Sequence, residues 1–406
     1  MREDAYKIIQ KTIDDCMPDA AVRNSLKALD LAGRIYIAAI GKAAWVMAKA
    51  AVDFLGDKLE KGIIVTKYEH SRGPLNGFEI IEAGHPTPDE NSIRGAQKVI
   101  ALMEEVSCED TVLLLLSGGG SSLVELPMPG LFLSDIQKLT KQLLFCGARI
   151  TEINVLRKKL SAIKGGKLAG YIHQAKAYSI ILSDIVGENE DMIASGLTYR
   201  DDSTAEDVRR ILEKYQLTLD EKVKKILLDS KPCQDVHIEN HVVGSVKELC
   251  QAAAVHAREL GYDSHILTTS MQCEAKEAGK WIASMSRADY SRPFAIIAGG
   301  ETVVKVTGDG LGGRNQELAL SAAGELAGQK RVLLFSLGSD GTDGPTDAAG
   351  GIVDGETAQK LEKIGVGVKE ALSDNDSYHA LKKVDGLIMT GATGTNVNDV
   401  TVLLCR

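Results

Sequence analysis

The chain lacks an excess of basic residues, closely spaced cysteines and long apolar runs. Its 47 Lys and Arg against 56 Asp and Glu give a formal net charge of −9, which argues against a nucleic-acid-binding surface because such surfaces need clustered positive charge. The seven cysteines are scattered without a C-x-x-C pair, so neither a disulfide framework nor a cysteine zinc site is expected, and a cytoplasmic location is predicted. No apolar run approaches the roughly 18 residues that cross a bilayer.

What the sequence has is an alternation of short apolar runs and helix-period segments over 406 residues. This length favours two or three domains. Residues 111–116 (TVLLLL) are apolar on both faces, as in a parallel strand covered by helices on each side. The alternation predicts an α/β fold with a doubly wound parallel sheet. The predicted strands are residues 34–40, 62–67, 78–82, 111–116, 177–182, 264–268, 294–298, 303–306, 332–337 and 387–390.

The alternation is interrupted between about residue 199 and residue 240, where charged runs and Pro232 occur. We therefore predict a first domain over residues 1–236 and a second over residues 237–406. Residues 237–241 (HIENH) are interpreted as a solvated linker, since the Glu is not placed as in the zinc motif H-E-x-x-H. A long helix over residues 243–260 is expected to open the second domain.

Glycines cluster directly after the predicted strands. At these places glycine lets backbone N–H groups surround an anion, or lets a ligand approach the main chain. One such loop is usually a tight turn, but six of them in two domains indicate a ligand cleft at the carboxyl ends of the strands. The clusters are at residues 41, 118–120, 299–300, 310–313, 338–344 and 391–394.

Two of these clusters suggest an anion site in the first domain. Lys42 stands where a strand ends and a helix begins, a position unfavourable for a cation unless it meets an anion; the alternative is a surface lysine. The loop after residues 111–116 suits phosphate or carboxylate, although it could also be a flexible turn. His85, in a Gly-His-Pro loop after another strand, is a further substrate-binding candidate. The loop after residues 111–116, called the serine–glycine loop below, consists of Ser117, Gly118, Gly119, Gly120, Ser121 and Ser122.

The second domain contributes further candidates. Residues 308–313 contain a G-x-G-x-x-G pattern, but no acidic residue ends a strand about twenty residues on, so a dinucleotide site is poorly supported. Arg314, which follows, could bind phosphate or carboxylate bidentately, and Asn315 is a substrate-binding candidate beside it. Asp184 and Asp340 directly follow strands and a serine, which suits Mg²⁺ ligands, although each could simply cap a turn. No P-loop or nucleophile elbow occurs in the sequence.

Long motifs are distributed over nearly the whole chain. They include AIGKAAWVMAKA (39–50), EAGHPTPDENS (82–92), LLLLSGGGSSLVELP (113–127), INVLRKKLSAIKGGKLA (153–169), LSDIVGENEDMIASG (182–196), GGETVVKVTGDGLGGRNQELAL (299–320), SLGSDGTDGPTDAAGGIVDG (336–355), NDSYHAL (375–381) and TGATGTNVNDV (390–400). In this order the motifs resemble the class II glycerate kinases, whose C-terminal half is called the MOFRL domain. One departure is Leu197, where the family usually has proline.

The resemblance implies a Rossmann-like N-terminal domain, a smaller α/β/α C-terminal domain with a mixed sheet, and an active site between them. It also implies ATP-dependent phosphorylation of D-glycerate, with 2-phosphoglycerate as the expected product. The family's active-site lysine and arginine correspond to Lys42 and Arg314. With ATP and Mg²⁺ as cofactors, Asp184 and Asp340 are the expected metal ligands. A homodimer is an expectation for the assembly, with no membrane or nucleic-acid partner.

Two other functions are weighed against the kinase. An NAD(P)-dependent hydroxypyruvate reductase is suggested by the pattern at residues 308–313 and by a label that some family members carry, but the ribose-binding acid is missing. A nucleotide- or sugar-acid-binding sensor is the non-enzyme alternative. Such a sensor would tolerate the loss of Lys42 or Arg314, and both are present.

Overall fold

The computed structural model of the chain describes residues 1–183, 190–229, 237–289, 291, 293–391 and 393–406. These residues form two units. The first unit is Pro18–Val243, and the second joins Met1–Met17 to Gly244–Arg406. The predicted division between residues 236 and 237 differs from this in two respects. The first 17 residues pack with the second unit, and residues 237–243 belong to the first.

The first unit contains a six-stranded sheet in the order β3-β2-β1-β4-β5-β6. The pairings β1–β2, β2–β3, β1–β4 and β4–β5 are all parallel. Apolar side chains fill both faces of the sheet, which explains why β4 has no polar face. The strands are β1 (Ile35–Ile40), β2 (Leu59–Lys67), β3 (Phe78–Ala83), β4 (Thr111–Leu116), β5 (Lys176–Leu182) and β6 (Ile238–Gly244).

Helices of the first unit cover the two faces of this sheet. The helix over Ile150–Leu160 ends there because the chain leaves helical geometry at Ser161, and Gly165 and Gly166 beyond it have positive φ. The helices are α2 (Pro18–Ala28), α3 (Ala44–Leu55), α4 (Glu90–Glu104), α5 (Gly120–Leu123), α6 (Leu133–Phe145), α7 (Ile150–Leu160), α8 (Ala205–Tyr215) and α9 (Glu221–Asp229), with 3-10 turns at Gly56–Lys58, Lys167–Tyr171 and Glu190–Ser195.

The second unit contains a mixed six-stranded sheet in the order β11-β10-β9-β12-β8-β7. Only β7 and β8 pair in parallel, while β12 runs antiparallel between β8 and β9. This mixed sheet and the parallel sheet of the first unit confirm the predicted α/β fold class. The strands are β7 (Asp263–Met271), β8 (Phe294–Gly300), β9 (Val332–Gly338), β10 (Gly350–Asp354), β11 (Leu387–Ile388) and β12 (Asp399–Cys405).

Two separate apolar clusters pack against the opposite faces of the mixed sheet. The N-terminal helix α1 joins α10 on one face, because its buried side chains Ala5, Ile8, Ile9 and Ile13 belong to the cluster under α10. The helices are α1 (Arg2–Asp15), α10 (Val246–Glu259), α11 (Ala275–Ser284), α12 (Arg314–Leu326), α13 (Thr357–Lys363), α14 (Val368–Ser373) and α15 (Ser377–Lys382), with a 3-10 turn at Met285–Arg287.

Two predictions of secondary structure are wrong. Residues 237–241 are not a solvated linker, since Ile238–Gly244 is strand β6 and Ser245 caps the helix that follows. The predicted strand over residues 303–306 is a loop that makes one isolated bridge and leaves Val306 exposed. The predictions also missed β10 and β12. Within the described residues, no helix is both long and apolar enough to span a bilayer.

Candidate active site

The residues that follow β1 and β4 form one continuous structure. The two strands are paired in register to their last residues, so both end at the same edge of the sheet. The Lys42 N–H donates to the Gly118 carbonyl at 2.9 Å, and the Ala43 N–H donates to Ser117 Oγ at 3.0 Å. Gly41 has a φ of +135°, and a Cβ there would collide with Ser117. The structure therefore brings Lys42 and the serine–glycine loop together.

Two of the three serines in the loop maintain its own shape. Ser117 and Ser122 are buried, and Ser122 Oγ donates to the Gly119 carbonyl at 3.1 Å. The backbone N–H groups of Gly118 and Gly119 have no hydrogen-bond partner in the part of the chain that the structure describes. Both glycines are partly exposed. Their N–H groups are therefore the donors that can bind an anion here.

His85 lies against the same loop. A Cβ on Gly119 would stand 3.0 Å from His85 Cδ2 and 3.4 Å from Lys42 Cε. The imidazole and the lysine side chain therefore both pack against Gly119. Burial and the nearby charges of Lys42 and Lys67 lower the pKa of His85 to about 4. The imidazole is therefore neutral near pH 7 and can accept a hydrogen bond as well as donate one.

Helix α7 anchors the other end of the loop. Arg157 donates from NH2 to the Ser121 carbonyl at 3.0 Å. The Ser121 hydroxyl lies 2.6 Å from Ser195 Oγ, and Ser195 Oγ donates to Asn154 Oδ1 at 2.9 Å. Asn154 and Arg157 are three residues apart and so share one face of the helix. Ser121 is thus held through its carbonyl and its hydroxyl.

Two buried ion pairs involve lysines at the end of α7 and just after it. Lys164 and Glu125 are paired, and both side chains are 0% exposed. Lys159 is paired with Asp201 at 2.8 Å. Burial lowers the pKa of Lys164 to about 8, although the Glu125 carboxylate acts in the opposite direction. Charges this deep are tolerated only when they are paired.

In the second unit, Arg314 is the first residue of α12 and is already engaged with two carboxylates. Its Nε and NH2 bind Asp399 at 2.5 and 2.9 Å, and NH1 lies 3.2 Å from Glu301. Burial opposes the charge, but these ion pairs raise the pKa of the guanidinium above its ordinary value. Two carboxylates surround one guanidinium, so the cluster carries net negative charge. Arg314 still offers two N–H groups on its exposed edge.

Asp343 holds the first turn of the same helix. It accepts hydrogen bonds from the backbone N–H of Asn315 at 3.1 Å and of Gln316 at 2.8 Å. The Asn315 side chain is buried between Asp343 and Ser336. The structure therefore places the Asn315 amide inside the unit, where it supports the start of α12.

The chain is similar to known proteins over nearly its full length. The chain matches the family described as Domain of unknown function (DUF4147) over residues 4–228 and the MOFRL family over residues 294–399. It is 51% identical over 404 residues to "D-glycerate 2-kinase" of Thermotoga maritima, covering 98% of this chain and 97% of that protein. The chain belongs to the MOFRL family of glycerate kinases.

Two further comparisons agree with this assignment. The chain is 41% identical over 436 residues to "Glycerate 2-kinase" of Pyrococcus horikoshii, with 100% of this chain and 97% of that protein covered. The crystal structure of a glycerate kinase from Thermotoga maritima is 50% identical and has a TM-score of 0.96, covering 100% of this chain and 99% of that one.

The G-x-G-x-x-G segment of this glycerate kinase family member has a packing role. A Cβ on Gly308 or Gly310 would collide with the backbone of Asp374, and one on Gly312 would collide with Ser377. The Gly310 N–H also donates to the Asp374 carbonyl at 2.8 Å. These glycines allow two chain segments to touch. Residues 301–307, which separate these glycines from the end of β8, form no strand, so the strand–turn–helix context of a dinucleotide-binding pattern is not formed.

Of the two predicted metal ligands, Asp184 lies outside the described residues and Asp340 lies within them. Asp340 is partly exposed, and its Oδ1 accepts hydrogen bonds from the N–H and hydroxyl of Thr342 at 2.9 and 3.1 Å. The described residues contain no group of three or more potential metal-binding side chains. Mg²⁺ commonly uses one or two carboxylates together with phosphate oxygens, so Asp340 fits as a single ligand through Oδ2.

A cavity of about 830 Å³ lies beside Arg314 within the second unit. Glu301, Gly312 and Pro345 line it together with Val303 and other residues. Val303 and Val306 are 57% and 75% exposed, so the cavity has an apolar side as well as the polar side formed by Arg314 and Glu301. The volume is within the range of small-molecule and cofactor sites.

Sequence reasoning missed Asn154, Arg157, Ser195, Glu301 and Asp399. A signal existed for the first two, because Asn154 and Arg157 are polar residues three positions apart and so lie on one face of the predicted helix. Asp399 gave no such signal, since it opens a strand that the sequence analysis missed.

The pH dependence of folding provides a test of the Asp343 anchor. Burial raises the pKa of Asp343 from 3.8 to about 6, although the backbone N–H groups of Gln316 and Asn315 act in the opposite direction. The folded chain therefore holds this proton more tightly than the unfolded chain, and the resulting stability is full below pH about 4 and lost as the pH rises through 6. We expect the stability of the wild type relative to Asp343→Asn to fall by about 1 to 3 kcal/mol between pH 4 and 7.

Urea denaturation of both proteins across this pH range measures the difference directly. Asparagine does not titrate, so the comparison removes the contribution of all other carboxylates. A difference that stays constant or grows with pH would contradict the assignment.

Proposed function

We propose that this chain transfers the γ-phosphoryl group of ATP to D-glycerate and forms 2-phospho-D-glycerate and ADP. The observation that carries the proposal is the 51% identity, over nearly the full length of both chains, to a protein named D-glycerate 2-kinase. The absence of a P-loop is compatible with it, since phosphoryl transfer needs positioned cations and N–H donors and not one particular loop.

Lys42 and the serine–glycine loop are proposed to bind negative charge. The Lys42 ammonium would stabilise the charge on the transferring phosphoryl group, while the N–H groups of Gly118 and Gly119 bind phosphate or carboxylate oxygens. His85 supports this role, because a neutral imidazole beside Lys42 can hydrogen-bond a substrate without adding repulsion.

Arg314 is proposed to stabilise negative charge on the transferring phosphoryl group. Its ion pairs with Asp399 and Glu301 fix the direction of the guanidinium, so that its remaining N–H groups are oriented in advance. Asn315 and Asp343 support the start of α12 and do not contact substrate. The cavity beside Arg314 is the proposed nucleotide site, because its exposed valines suit an adenine ring.

The negative charge around Arg314 also suits a nucleotide that carries a divalent cation. Asp184 and Asp340 are the proposed ligands of Mg²⁺. A metal held by these carboxylates would supply positive charge that offsets part of the negative charge of the phosphates. A cytoplasmic location and a homodimer remain part of the proposal.

Phosphorus NMR of the reaction of D-glycerate with ATP and Mg²⁺ tests the function. The expected result is the signal of 2-phosphoglycerate together with ADP, and neither forms when D-glycerate is omitted. A 3-phosphoglycerate signal would contradict the position of transfer, and the absence of any transfer would contradict the kinase.

Hydroxypyruvate and NADH provide the matched control for the reductase alternative. Absorbance at 340 nm is expected to stay constant, because the glycine segment that suggested a dinucleotide is packed against Asp374 and Ser377. Thermal stabilisation by ATP without turnover would favour the sensor.

A further inference from the structure

The hydroxyl of Ser121 belongs to a buried chain of hydrogen bonds. Ser121 Oγ lies 2.6 Å from Ser195 Oγ, and Ser195 Oγ donates to Asn154 Oδ1 at 2.9 Å. Ser195 is 0% exposed and Asn154 is 4% exposed. Ser121 itself is only partly buried. This series of hydrogen bonds therefore runs from the interior to a surface of the serine–glycine loop.

The hydrogen bonds that link Ser121, Ser195 and Asn154 can be donated in only one direction. A serine hydroxyl carries a single hydrogen. Because Ser195 donates its hydrogen to Asn154, the bond between the two serines must be donated by Ser121. The hydrogen of Ser121 is therefore already used, and only the lone pairs of its oxygen remain for a ligand.

An oxygen in this state discriminates between ligand groups. Phosphate and ionised carboxylate offer only acceptors, so they would face the lone pairs of Ser121 without a hydrogen between them. A hydroxyl group of a ligand can donate to that oxygen. The direction of the chain thus makes Ser121 selective for a ligand hydroxyl, while the nearby N–H groups of Gly118 and Gly119 remain suited to anions.

The backbone around Ser121 is held in place as well as its hydroxyl. Arg157 holds its carbonyl at 3.0 Å. Ser195 and Ala194 have φ values of +54° and +49°. Residues other than glycine rarely adopt this backbone conformation, and they keep it only where the surrounding structure enforces it. A Cβ on Gly120 would stand 3.0 Å from the Cβ of Ala194. Close packing therefore holds the two segments together.

We propose that Ser121 Oγ accepts a hydrogen bond from a hydroxyl group of D-glycerate, and that Ser195 and Asn154 are positioning residues that set the direction of this bond. The inference rests on the proposed function, since it concerns recognition of the acceptor substrate. D-Glycerate combines a carboxylate with two hydroxyl groups, which matches anion-binding N–H groups beside an oriented acceptor. The fully ionised triphosphate of ATP has no hydrogen to donate.

The test compares Ser121→Ala with the wild type on three ligands. D-Lactate lacks the 3-hydroxyl of D-glycerate, and 3-hydroxypropionate lacks the 2-hydroxyl. Inhibition constants for the two analogues and the KM for D-glycerate are measured, together with the KM for ATP. Calorimetric titration of D-glycerate without nucleotide gives a readout that does not depend on turnover.

In the wild type, we expect the analogue without the recognised hydroxyl to bind about 3- to 10-fold more weakly than the other, the usual effect of one neutral hydrogen bond. Ser121→Ala is expected to abolish this difference and to weaken D-glycerate binding by a similar factor, with the KM for ATP unchanged. A purely structural role for Ser121 would lower stability without changing the preference between analogues.

Ser195→Ala is the second variant, because it leaves the Ser121 oxygen in place and removes only the partner that fixes its hydrogen. It should reduce the preference between the analogues. A preference that survives in both variants, or a changed KM for ATP alone, would overturn the inference. If the wild type binds the analogues with the expected preference but transfers no phosphoryl group, the hydroxyl recognition stands and the proposed kinase function fails.

Discussion

Replacement of Arg314 is expected to lower kcat by at least about 1000-fold, the lower end of the range for a transition-state arginine in phosphoryl transfer. The simple Arg314→Ala variant also leaves Asp399 buried without its partner, because that side chain is only 5% exposed. Removing one member of a buried pair costs about 3 to 5 kcal/mol. Loss of activity in this variant would therefore be mixed with loss of stability.

The double variant Arg314→Met with Asp399→Asn separates the two effects. It removes the cation and its buried counter-charge together, so that thermal unfolding should be close to that of the wild type while turnover stays abolished. Arg287→Ala is the matched control, since Arg287 is an exposed arginine of the same unit that pairs with Glu325. Turnover of the folded double variant within tenfold of the wild type would remove Arg314 from the mechanism.

Replacement of Glu125 by glutamine is expected to destabilise the first unit by about 3 to 5 kcal/mol. The glutamine leaves the Lys164 ammonium without a counter-charge at a site where both side chains are 0% exposed. For a unit of this size the loss corresponds to a decrease in melting temperature of roughly 6 to 20 °C. Thermal unfolding followed by circular dichroism measures it.

The double variant Glu125→Gln with Lys164→Met provides the control. Replacing a buried ion pair by apolar side chains is often neutral, so the double variant should recover most of the lost stability. A single variant that melts with the wild type would mean that water or another group already compensates Lys164. A double variant no more stable than the single one would show that the effect is not electrostatic.

Most of the parallel sheet could be predicted from the sequence, because β1 to β5 each contain an apolar run beside turn signals. β6 (IENHVVG) is largely polar, which explains why it was predicted to be a linker. β1 and β4 were predicted to within one residue of their observed ends. The mixed sheet was harder to predict. β10 begins with two glycines, which shorten its apolar run. β12 (DVTVLLC) does have the apolar pattern of a buried strand, and the sequence analysis overlooked it.

The candidate site was predictable where a glycine and a charge are neighbours in sequence. Lys42 and the serine–glycine loop are separate motifs, and the register of two parallel strands explains why they meet. The contacts of Arg314 depend on Asp399, which lies 85 residues away. Asn154 and Ser195 are 41 residues apart. Hydrogen bonds over such separations leave no periodicity in the sequence.

The docking of α1 against α10 also has a consequence for biosynthesis. The apolar face of α1 is synthesised before α10, the helix that covers it, which follows more than two hundred residues later. All strands of the intervening sheet are translated in that interval, so Pro18–Val243 can collapse while Ile8 and its neighbours still lack their partners. Nascent chains are therefore exposed to aggregation through this one amphipathic helix, and a chaperone that binds short apolar segments would find its target there.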